Sequence, residues 1–312
     1  MKNLKRWIVL LVITVFSLNV IGCTSKDDLS KESEENRTLK IGLMPAVDTA
    51  PILIAEKNGY FKDAGINVEI EIYSNAQNRQ SALQSYQIDG AMTDFIAVAT
   101  NVDGGFDIKA TTMTDGMFPV LSKGDVSGKK DIKVGMMEVS VSNYLIDKWL
   151  SKDYNIEKVF INEIPARLAA IQSGELDMGL FPEPVASNGE LKGLKKNLYG
   201  MDDEFSPDCL VFTGKAIAEK EKTIKAFHEA YNKAVDEINK NPQIARDILV
   251  EKIPNTNPEV KDIMVLPTYK KAAIPSDEYL QSIIDWTSKT LNKDLTVKPE
   301  ALLEGKFVKY ND

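Results

Sequence analysis

Short apolar runs alternate with amphipathic stretches along most of the chain from residue 38 onward. The segment Asn67–Tyr73 alternates apolar and polar side chains with a period of two, which predicts a half-buried strand. In 276–291, Ile283, Ile284 and Trp286 lie at helical spacing, which predicts a helix with one face packed on a sheet. Strands that alternate with helices of about 10–15 residues are typical of βαβ units. The chain is therefore predicted to be an α/β protein.

The same pattern divides the chain into two strand–helix sets and a helical remainder after Gly214. Predicted strands are Leu39–Met44, Asn67–Tyr73, Gly90–Thr93, Ile132–Met136, Val159–Ile164, Met178–Phe181 and Asp208–Thr213. Predicted helices are Ala50–Asn58, Arg79–Gln87, Phe95–Val102, Ser142–Lys152, Pro165–Ser173, Lys215–Lys240, Pro242–Val250, Pro258–Val265 and Ser276–Leu291.

An internal repeat links the two sets. Arg79–Asp89 aligns without gaps to Arg167–Asp177, and in both copies an Arg opens a helix, Gln-Ser closes it and an Asp precedes the next strand. Equal spacing through a whole unit favours duplication of one βαβ module. The two Arg residues either bind an anion bidentately or pair with Asp89 and Asp177, and we expect the pairing.

Two extended crossovers are predicted to join two lobes. Extended segments at 109–121 and Asp208–Thr213 bracket the middle of the chain. One lobe is then 38–121 plus 212–312, and the other is 122–211. Two crossovers between α/β lobes form a hinge, and small ligands bind in the cleft between such lobes.

The N-terminus carries the pattern of an export signal. A short basic region precedes an uncharged apolar run, Trp7–Gly22, at the short limit for a membrane-spanning helix. Val20–Cys23 resembles the bacterial lipobox, in which the signal is cut before the Cys and the thiol receives a lipid. We expect 1–22 to be a lipoprotein signal peptide, Cys23 to be lipidated, and the mostly polar segment 23–37 to be a disordered tether. The alternatives are an uncleaved anchor and an ordinary signal with an incidental Cys.

Composition narrows the classes of function. The 312 residues carry 38 Lys and Arg against 46 Asp and Glu, and this acidic balance argues against nucleic-acid binding. Two Cys and one His are too few for a zinc site, an iron–sulfur cluster or a disulfide framework. A triad enzyme would depend on His228, which we place on a solvated or partly packed helix face. Cys209 is predicted to be a buried strand residue. We predict no cofactor.

Several motifs occur in the order found in one family of binding proteins. They are the segment 43–51, the Gly-Tyr-Phe within 56–61, and the paired strand units at 87–94 and 173–184. With the lipobox, they resemble the solute-binding lipoproteins of ABC importers in the sulfonate, nitrate and thiamine-precursor class. The resemblance implies a two-lobed type II periplasmic-binding-protein fold with two parallel or mixed sheets. It also implies a membrane-anchored extracytoplasmic monomer that delivers a small solute to a permease and an ATPase.

By position, the resemblance implies binding residues at strand ends and helix starts that face the cleft. Asp94 and Glu183 lie at equivalent strand ends and are expected to face each other. Ser140 and Ser142 precede a helix, where they suit an anion or simply cap the helix. Asp48 binds a ligand N–H group or, with a slight preference, caps a helix at Thr49. The implied ligand-binding set is Met44, Asp48, Thr49, Asn78, Thr93, Asp94, Met113, Glu138, Ser140, Ser142 and Glu183.

The implied ligand is a small polar organic solute. Carboxylates dominate the candidate loops, which favours a thiamine-precursor pyrimidine with amino or ring N–H groups over an alkanesulfonate or nitrate. Two rival classes are a fold-related pyrimidine-synthase enzyme and a ligand-sensing receptor subunit. The Cys-rich motif and active His of such synthases have no counterpart here, so we expect no enzyme activity. The carboxylates concerned are Asp48, Asp94, Glu138, Glu163 and Glu183.

Overall fold

Two separate five-stranded sheets, each flanked by helices, organise the protein. The computed structural model describes residues 33–201, 203 and 206–308. The predicted signal peptide and Cys23 lie outside these residues. Among the described helices, none combines the length and the apolar character needed to cross a bilayer.

The end of the predicted tether is ordered. Ser33–Arg37 form a turn in which Arg37 N donates to Ser33 O at 3.1 Å. The Asn36 carbonyl accepts a hydrogen bond from Thr223 Oγ1 at 2.6 Å. These five residues therefore differ from the predicted disordered segment because they bond to a helix of the folded part. The rest of that segment, residues 23–32, lies outside the described residues.

Helices and strands follow one another in the alternation that the sequence pattern predicts. The strands are β1 (Thr38–Leu43), β2 (Asn67–Ile72), β3 (Gly90–Asp94), β4 (Ile108–Met113), β5 (Val120–Ser122), β6 (Asp131–Met136), β7 (Asn155–Phe160), β8 (Met178–Leu180), β9 (Lys195–Asn197) and β10 (Asp208–Thr213). The helices are α1 (Ala50–Lys57), α2 (Tyr60–Asp63), α3 (Ala76–Gln84), α4 (Phe95–Asp103), α5 (Val141–Leu150), α6 (Ile164–Ser173), α7 (Val185–Leu191), α8 (Gly214–Glu219), α9 (Glu221–Lys240), α10 (Gln243–Lys252) and α11 (Asp277–Leu291). Short 3₁₀ turns lie at Val47–Thr49, Pro258–Asp262, Pro299–Leu302 and Gly305–Phe307.

The two sheets share one plan. The first has the order β2-β1-β3-β10-β4 and the second β7-β6-β8-β5-β9. In each, four strands run in one direction, and the fourth strand in the order, β10 or β5, is antiparallel and comes from the other side of a crossover. The chain passes from the first sheet to the second between Met113 and Val120, and returns between Asn197 and Asp208. Each passage lies a few residues before the corresponding lobe boundary predicted from the sequence, 121/122 or 211/212. The assignment of individual residues to one lobe or the other stays a prediction.

Three predicted elements differ in extent. The strand predicted at Val159–Ile164 is β7, which ends at Phe160 because Ile161 N makes the last bond to β6 and the chain then turns into α6. The helix predicted at Lys215–Lys240 breaks at Lys220 into α8 and α9. The helix predicted at Pro258–Val265 is a single 3₁₀ turn. Helices α2 and α7 and strand β9 were not predicted because they are too short to show a periodic pattern.

The two copies of the internal repeat make the same backbone contacts. Lys40 N donates to Asp89 Oδ2, and Lys133 N donates to Asp177 Oδ2, both at 2.8 Å. Each Asp thus ties the turn after the repeated helix to the first strand of its own sheet. The equivalence that the sequence suggested therefore extends to hydrogen bonds.

His228 lies inside the core rather than on a solvated face. It is 1% exposed, and its Nε2 lies 3.0 Å from Thr111 Oγ1. The rings of Phe227 and Phe307 pack beside it. The prediction of a solvated or partly packed His is wrong because α9 packs its apolar face across the first sheet. Burial lowers the pKa of His228 to about 3. The prediction of a buried Cys209 is confirmed.

Candidate ligand-binding cleft

A cavity of about 280 Å³ lies between the two sheets and is lined from both sides. The first sheet supplies the loop after β1, the start of α3 and the junction of β3 with α4. The second supplies the loop before α5, the start of α6 and the end of β8. This is the edge at which strands of open α/β sheets present ligand-binding groups. The polar side chains in the lining belong to Asp48, Gln77, Arg79, Gln80, Thr93, Asp94, Thr100, Asn101, Ser140, Ser142, Arg167 and Asp208.

Arg167 is the cationic group of the second-sheet wall. It lies in the first turn of α6 and is 2% exposed. Its Nη1 donates to Ile161 O at 3.0 Å, and its guanidinium carbon lies 5.2 Å from the ring centroid of Phe181. Its Nε has no hydrogen-bond partner among the described residues. Burial lowers the pKa of Arg167 to about 10, and no described carboxylate opposes that effect.

Arg79 occupies the equivalent place on the first-sheet wall. It is 5% exposed, and its Nη2 donates to Thr93 Oγ1 at 2.9 Å. Burial lowers the pKa of Arg79, and the charge of Asp94 opposes the shift. The two Arg side chains therefore face one cavity from opposite sides, but only Arg79 has carboxylates around it.

The expected pairing of Arg79 with Asp89 and of Arg167 with Asp177 is wrong. Asp89 binds Lys220 Nζ at 2.9 Å, and Asp177 pairs with Lys129. Both Asp side chains also accept the strand N–H groups described above. Their acceptor oxygens are thus engaged by other groups, and neither Asp lines the cavity, whereas both Arg side chains do.

A glycine beneath each Arg explains why the side chains lie as they do. A Cβ on Gly42 would lie 3.2 Å from Arg79 Cγ, and a Cβ on Gly135 would lie 3.0 Å from Arg167 Cγ. The glycines hold the same position in β1 and β6. Lack of a side chain there lets the Arg stem cross the strand and reach the cavity. The repeated glycine is the sequence signal that identifies these two residues.

Three carboxyl groups surround Arg79. Asp48 accepts a hydrogen bond from Thr114 Oγ1 at 3.0 Å, and Asp208 lies directly opposite Asp94 in the β3–β10 register. Burial raises the pKa of Asp48 to about 6 and also raises the pKa of Asp94. The pKa of Asp208 is raised well above its ordinary value by burial and by the nearby charge of Asp48. The preferred role of Asp48 as a helix cap is wrong. Neither the 3₁₀ turn at Val47–Thr49 nor α1 has a side-chain hydrogen bond at its N-cap.

Replacement of Asp48 by Asn is expected to stabilise the ligand-free protein in a pH-dependent way. A carboxyl whose pKa is about 6 when folded and near 3.8 when unfolded destabilises the fold as pH rises through that window. Asp48→Asn should therefore raise the free energy of unfolding by about 1–3 kcal/mol at pH 8 and by little at pH 4. Urea unfolding at both pH values measures this, with replacement of the exposed Asp63 of α2, Asp63→Asn, as control. An equal gain at both pH values contradicts it.

Ser140 and Ser142 form a hydroxyl pair at the start of α5. Ser140 Oγ accepts from Ser142 N at 3.2 Å and lies 2.7 Å from Ser142 Oγ, which in turn accepts from Met137 N at 3.0 Å. Capping, one of the two alternatives for this segment, is observed for Ser140. Because both residues also line the cavity, capping and contact with a solute are compatible.

Asp94 joins the two walls of the cavity. Its Oδ1 caps α4 by accepting from Ala97 N at 2.8 Å, and its Oδ2 accepts from Val141 N of the opposite wall at 3.4 Å. The described conformation is therefore one in which the walls touch.

Several of the predicted binding residues do not line this cavity. Thr49 is buried and donates to Ala46 O, while Asn78 and Glu138 are exposed. Met113 packs on the core of the first sheet. Conversely, Asp208 and Asn101 line the cavity without having been predicted, because their positions depend on non-local strand pairing and on the inner face of α4. Of the predicted set, the residues in the lining are Met44, Asp48, Thr93, Asp94, Ser140 and Ser142.

Glu183 is buried in a seam outside the cavity, so the expected pairing across the cleft with Asp94 is wrong. It is 0% exposed and accepts hydrogen bonds from Ser187 N and Ser187 Oγ, both at 3.0 Å. Lys196 Nζ lies 3.2 Å from Oε1, and Val265 N donates to the same oxygen at 3.3 Å. The side chain turns inward because Pro182, not Glu183, continues the cavity wall after β8.

Metal-binding chemistry has no site in the part of the chain that the structure describes. No three His, Cys, Asp or Glu side chains of residues 33–201, 203 and 206–308 are arranged to hold a metal ion.

Family membership follows from the sequence. The NMT1/THI5-like family profile matches residues 46–245, which include both repeat copies and most of the cavity wall. The chain belongs to the NMT1/THI5-like family. This NMT1/THI5-like protein is also 20% identical over 276 residues to a Brachyspira hyodysenteriae protein named as an ABC transporter periplasmic binding protein, which covers 80% of this chain and 79% of the relative.

Solved structures share the fold of this NMT1/THI5-like protein. The ligand-binding component of an ABC-type import system from Staphylococcus aureus, solved with zinc bound, has a TM-score of 0.74 at 18% identity and covers 87% of this chain and 97% of its own. The alkanesulfonate-binding protein SsuA of Xanthomonas axonopodis pv. citri, bound to MOPS, has a TM-score of 0.68 at 13% identity, with coverages of 86% and 96%. The predicted fold class, two mixed sheets flanked by helices as in periplasmic binding proteins, is confirmed.

Proposed function

We propose that this protein is the extracytoplasmic solute-binding component of an ABC importer and that it captures a small anion between its lobes. The observation that carries the proposal is Arg167, a buried guanidinium that lines the cavity and pairs with no described carboxylate. A buried charge without a partner costs several kcal/mol. An anionic solute supplies the missing charge.

The groups near Arg167 in the cavity wall support an anion. The hydroxyls of Ser140 and Ser142 line the same cavity. The first N–H groups of α5 already donate to Asp94 and Ser140, so the hydroxyls are the donors that this wall offers to an oxyanion. A sulfonate, a carboxylate or nitrate matches this donor set, and the bidentate geometry of Arg adds orientation.

The carboxyl cluster of the first wall supports a second candidate. Asp48, Asp94 and Asp208 accept hydrogen bonds and suit amino or ring N–H groups, as in a thiamine-precursor pyrimidine. These three surround Arg79, however, and leave Arg167 without a counter-charge. The anion is therefore favoured, in contrast to the expectation from the sequence, which counted Glu138, Glu163 and Glu183 among the cleft carboxylates.

The proposed role includes partners and a location. The importer relatives and the family support delivery to a permease and an ATPase, and lipidation of Cys23 would hold the protein at the outer face of the cell membrane. We propose a monomer without enzymatic turnover. Catalysis of any reaction by the purified protein would instead support the pyrimidine-synthase class, and a gene neighbourhood without a permease and an ATPase would support the receptor class.

Lobe closure is expected to be visible in the fluorescence of Trp286. Its Nε1 donates to Asp147 Oδ2 at 3.0 Å, and its ring lies edge-to-face on Tyr144 at 5.4 Å, both across the gap between the sheets. A solute that closes the hinge should therefore change the emission of Trp286, while Trp149 lies within the second-sheet part, stacked on Tyr199.

The experiment is a titration of refolded, ligand-free protein with ethanesulfonate, propionate, nitrate and an aminopyrimidine. A saturable emission change should occur with an anion, persist in Trp149→Phe and disappear in Trp286→Phe. Retention of the change in Trp286→Phe, or no change in the parent protein with any of these compounds, contradicts closure by such a solute.

A further inference from the structure

Two acidic side chains of the cavity wall lie where the crossovers leave the first sheet. Asp208 is the first residue of β10, directly after the return crossover, and Thr114 is the first residue after β4. Thr114 N donates to Asp208 O, and Thr114 Oγ1 donates to Asp48 Oδ2, both at 3.0 Å. A Cβ on Gly116, two residues along the outgoing crossover, would collide with Asp208 Oδ2. Asp48 and Asp208 therefore contact a crossover and also line the cavity.

The cavity holds more acidic than basic side chains. Its charged lining residues, each at most 8% exposed, are Asp48, Asp94, Asp208, Arg79 and Arg167. With every carboxyl ionised, three negative charges face two positive ones, and a bound monovalent anion adds a fourth negative charge. Like charges that are shielded from water raise one another's pKa. The wall therefore favours uptake of a proton by one of its carboxyls when an anion binds.

The hydrogen bonds of the three carboxyls show which of them suit a proton. Asp94 accepts from backbone N–H groups of α4 and α5 at 2.8 and 3.4 Å, and these bonds favour the ionised form. Asp48 accepts from the hydroxyl of Thr114, and Asp208 accepts from the hydroxyl of Ser206. A hydroxyl can turn and accept a hydrogen bond from a protonated carboxyl, whereas a backbone N–H group only donates. Asp48 and Asp208 are therefore the carboxyls that can hold the proton.

The groups around this pair set the direction in which it titrates. Burial has the largest effect, and it raises the pKa of Asp48 to about 6 and that of Asp208 well above its ordinary value. The charge of Asp115 raises the pKa of Asp48 further, and the charge of Arg79 lowers the pKa of both carboxyls. The other titratable groups that face the pair stay uncharged at neutral pH, because burial raises the pKa of each of them. They are Cys209, Tyr231, Tyr269 and Tyr279.

We propose that binding of an anion in the cleft is coupled to uptake of one proton by the carboxyl pair Asp48 and Asp208, so that the protein holds its solute more tightly at acidic than at alkaline pH. The inference rests on the proposed function and adds a regulation of the same site. The charge of the bound anion raises the pKa of the pair, and a proton bound more tightly in the complex strengthens binding of the anion in return. Affinity is therefore highest below the pKa of the ligand-free pair and falls as pH rises above it.

The test is calorimetry of refolded residues 24–312 with ethanesulfonate, propionate and nitrate, which stay ionised between pH 6.5 and 8.5. Each titration is run in two buffers of the same pH with different ionisation enthalpies, so that the difference in heat gives the number of protons taken up. With the anion that binds most tightly, we expect uptake of about 0.7 proton at pH 7. The affinity should then fall about fivefold for each pH unit.

The double variant Asp48→Asn/Asp208→Asn removes both titrating carboxyls and keeps side chains of the same shape. Its proton uptake should be below about 0.2, and its affinity should stay within about threefold from pH 6.5 to 8.5. Asp115→Asn is the matched control, since burial also raises the pKa of Asp115 to about 6 but its side chain does not line the cavity. This control should keep most of the proton uptake.

Two results overturn the inference and leave the proposed function in place. One is anion binding by the parent protein without proton uptake and with an affinity that does not change with pH. The other is unchanged proton uptake in the double variant, which would place the proton on a different group. No binding of any of the three anions at any pH overturns both the inference and the proposed function.

Discussion

Arg167→Met is expected to abolish anion binding while it makes the ligand-free protein more stable. The side chain is buried, uses one of its donors on a backbone carbonyl, and pairs with no described carboxylate. Methionine fills similar volume without a charge. Apolar replacement of buried charge often stabilises a protein, and we expect a gain of about 1–2 kcal/mol in the free energy of unfolding.

The same variant removes the charge that a bound anion requires. Loss of one partner of a buried charge pair costs about 2–5 kcal/mol in binding, so affinity should fall at least about 30-fold. Calorimetry with the tightest anion of the panel and urea unfolding measure the two effects. A variant that is more stable but binds its ligand less tightly is typical of the loss of a residue that serves function rather than stability.

Arg246→Met is the matched control. Arg246 donates to the carbonyls of Lys261 and Met264 and lines no described cavity near the cleft. Arg246 is only partly buried, so its charge costs little, and its replacement leaves two carbonyls rather than one without a donor. Stability should therefore fall, while anion affinity stays within about threefold. If Arg167→Met instead loses stability and keeps its affinity, Arg167 is a structural residue and the assignment of the site is wrong.

Glu183→Ala is expected to cause a large loss of stability without a matching loss of affinity. Glu183 is fully buried, accepts from Ser187 and Val265, and pairs with Lys196, which is 7% exposed in its side chain. Removal of one member of a buried, hydrogen-bonded pair costs about 3–5 kcal/mol. Urea unfolding of the ligand-free variant should show this loss, while calorimetry should show an anion affinity within about threefold of the parent.

Glu190→Ala separates this effect from a general loss of charge. Glu190 pairs with the same Lys196 at 2.6 Å but is 38% exposed in its side chain, so we expect a cost below about 1 kcal/mol. Similar losses in both variants would show that burial of Glu183 does not determine its contribution. A selective loss of affinity in Glu183→Ala would return the residue to the binding site that the sequence assigned to it.

Periodicity and the repeat predicted the fold because both are local. Asn67–Ile72 alternates half-buried and exposed positions as its sequence pattern requires, and Asp89 and Asp177 of the two repeat copies make equivalent backbone contacts. The direction of a side chain is a different matter. The sequence spacing that favoured Arg–Asp pairs did not show that Asp89 and Asp177 bind strand N–H groups of other segments.

The lining of the candidate site was predicted only in part, for a related reason. Positions in loops that follow strands, such as Asp48 and Ser140, line the cavity as expected. Asp208 reaches it through pairing with a strand more than a hundred residues earlier, which no local pattern reveals. Glu183 occupies the strand end predicted for it, yet Lys196 and Val265 draw its carboxylate into the core. The expectation that Glu183 contributes a negative charge to the cleft was therefore wrong.

The most direct test of the central claim is native mass spectrometry of refolded residues 24–312 with an equimolar mixture of ethanesulfonate, octanesulfonate, propionate, nitrate and an aminopyrimidine. Parent protein and Arg167→Met are measured side by side. The account predicts a one-to-one complex with an anion in the parent protein and no such complex in the variant. Equal retention of the aminopyrimidine by both proteins, or no complex with any anion in the parent protein, would contradict it.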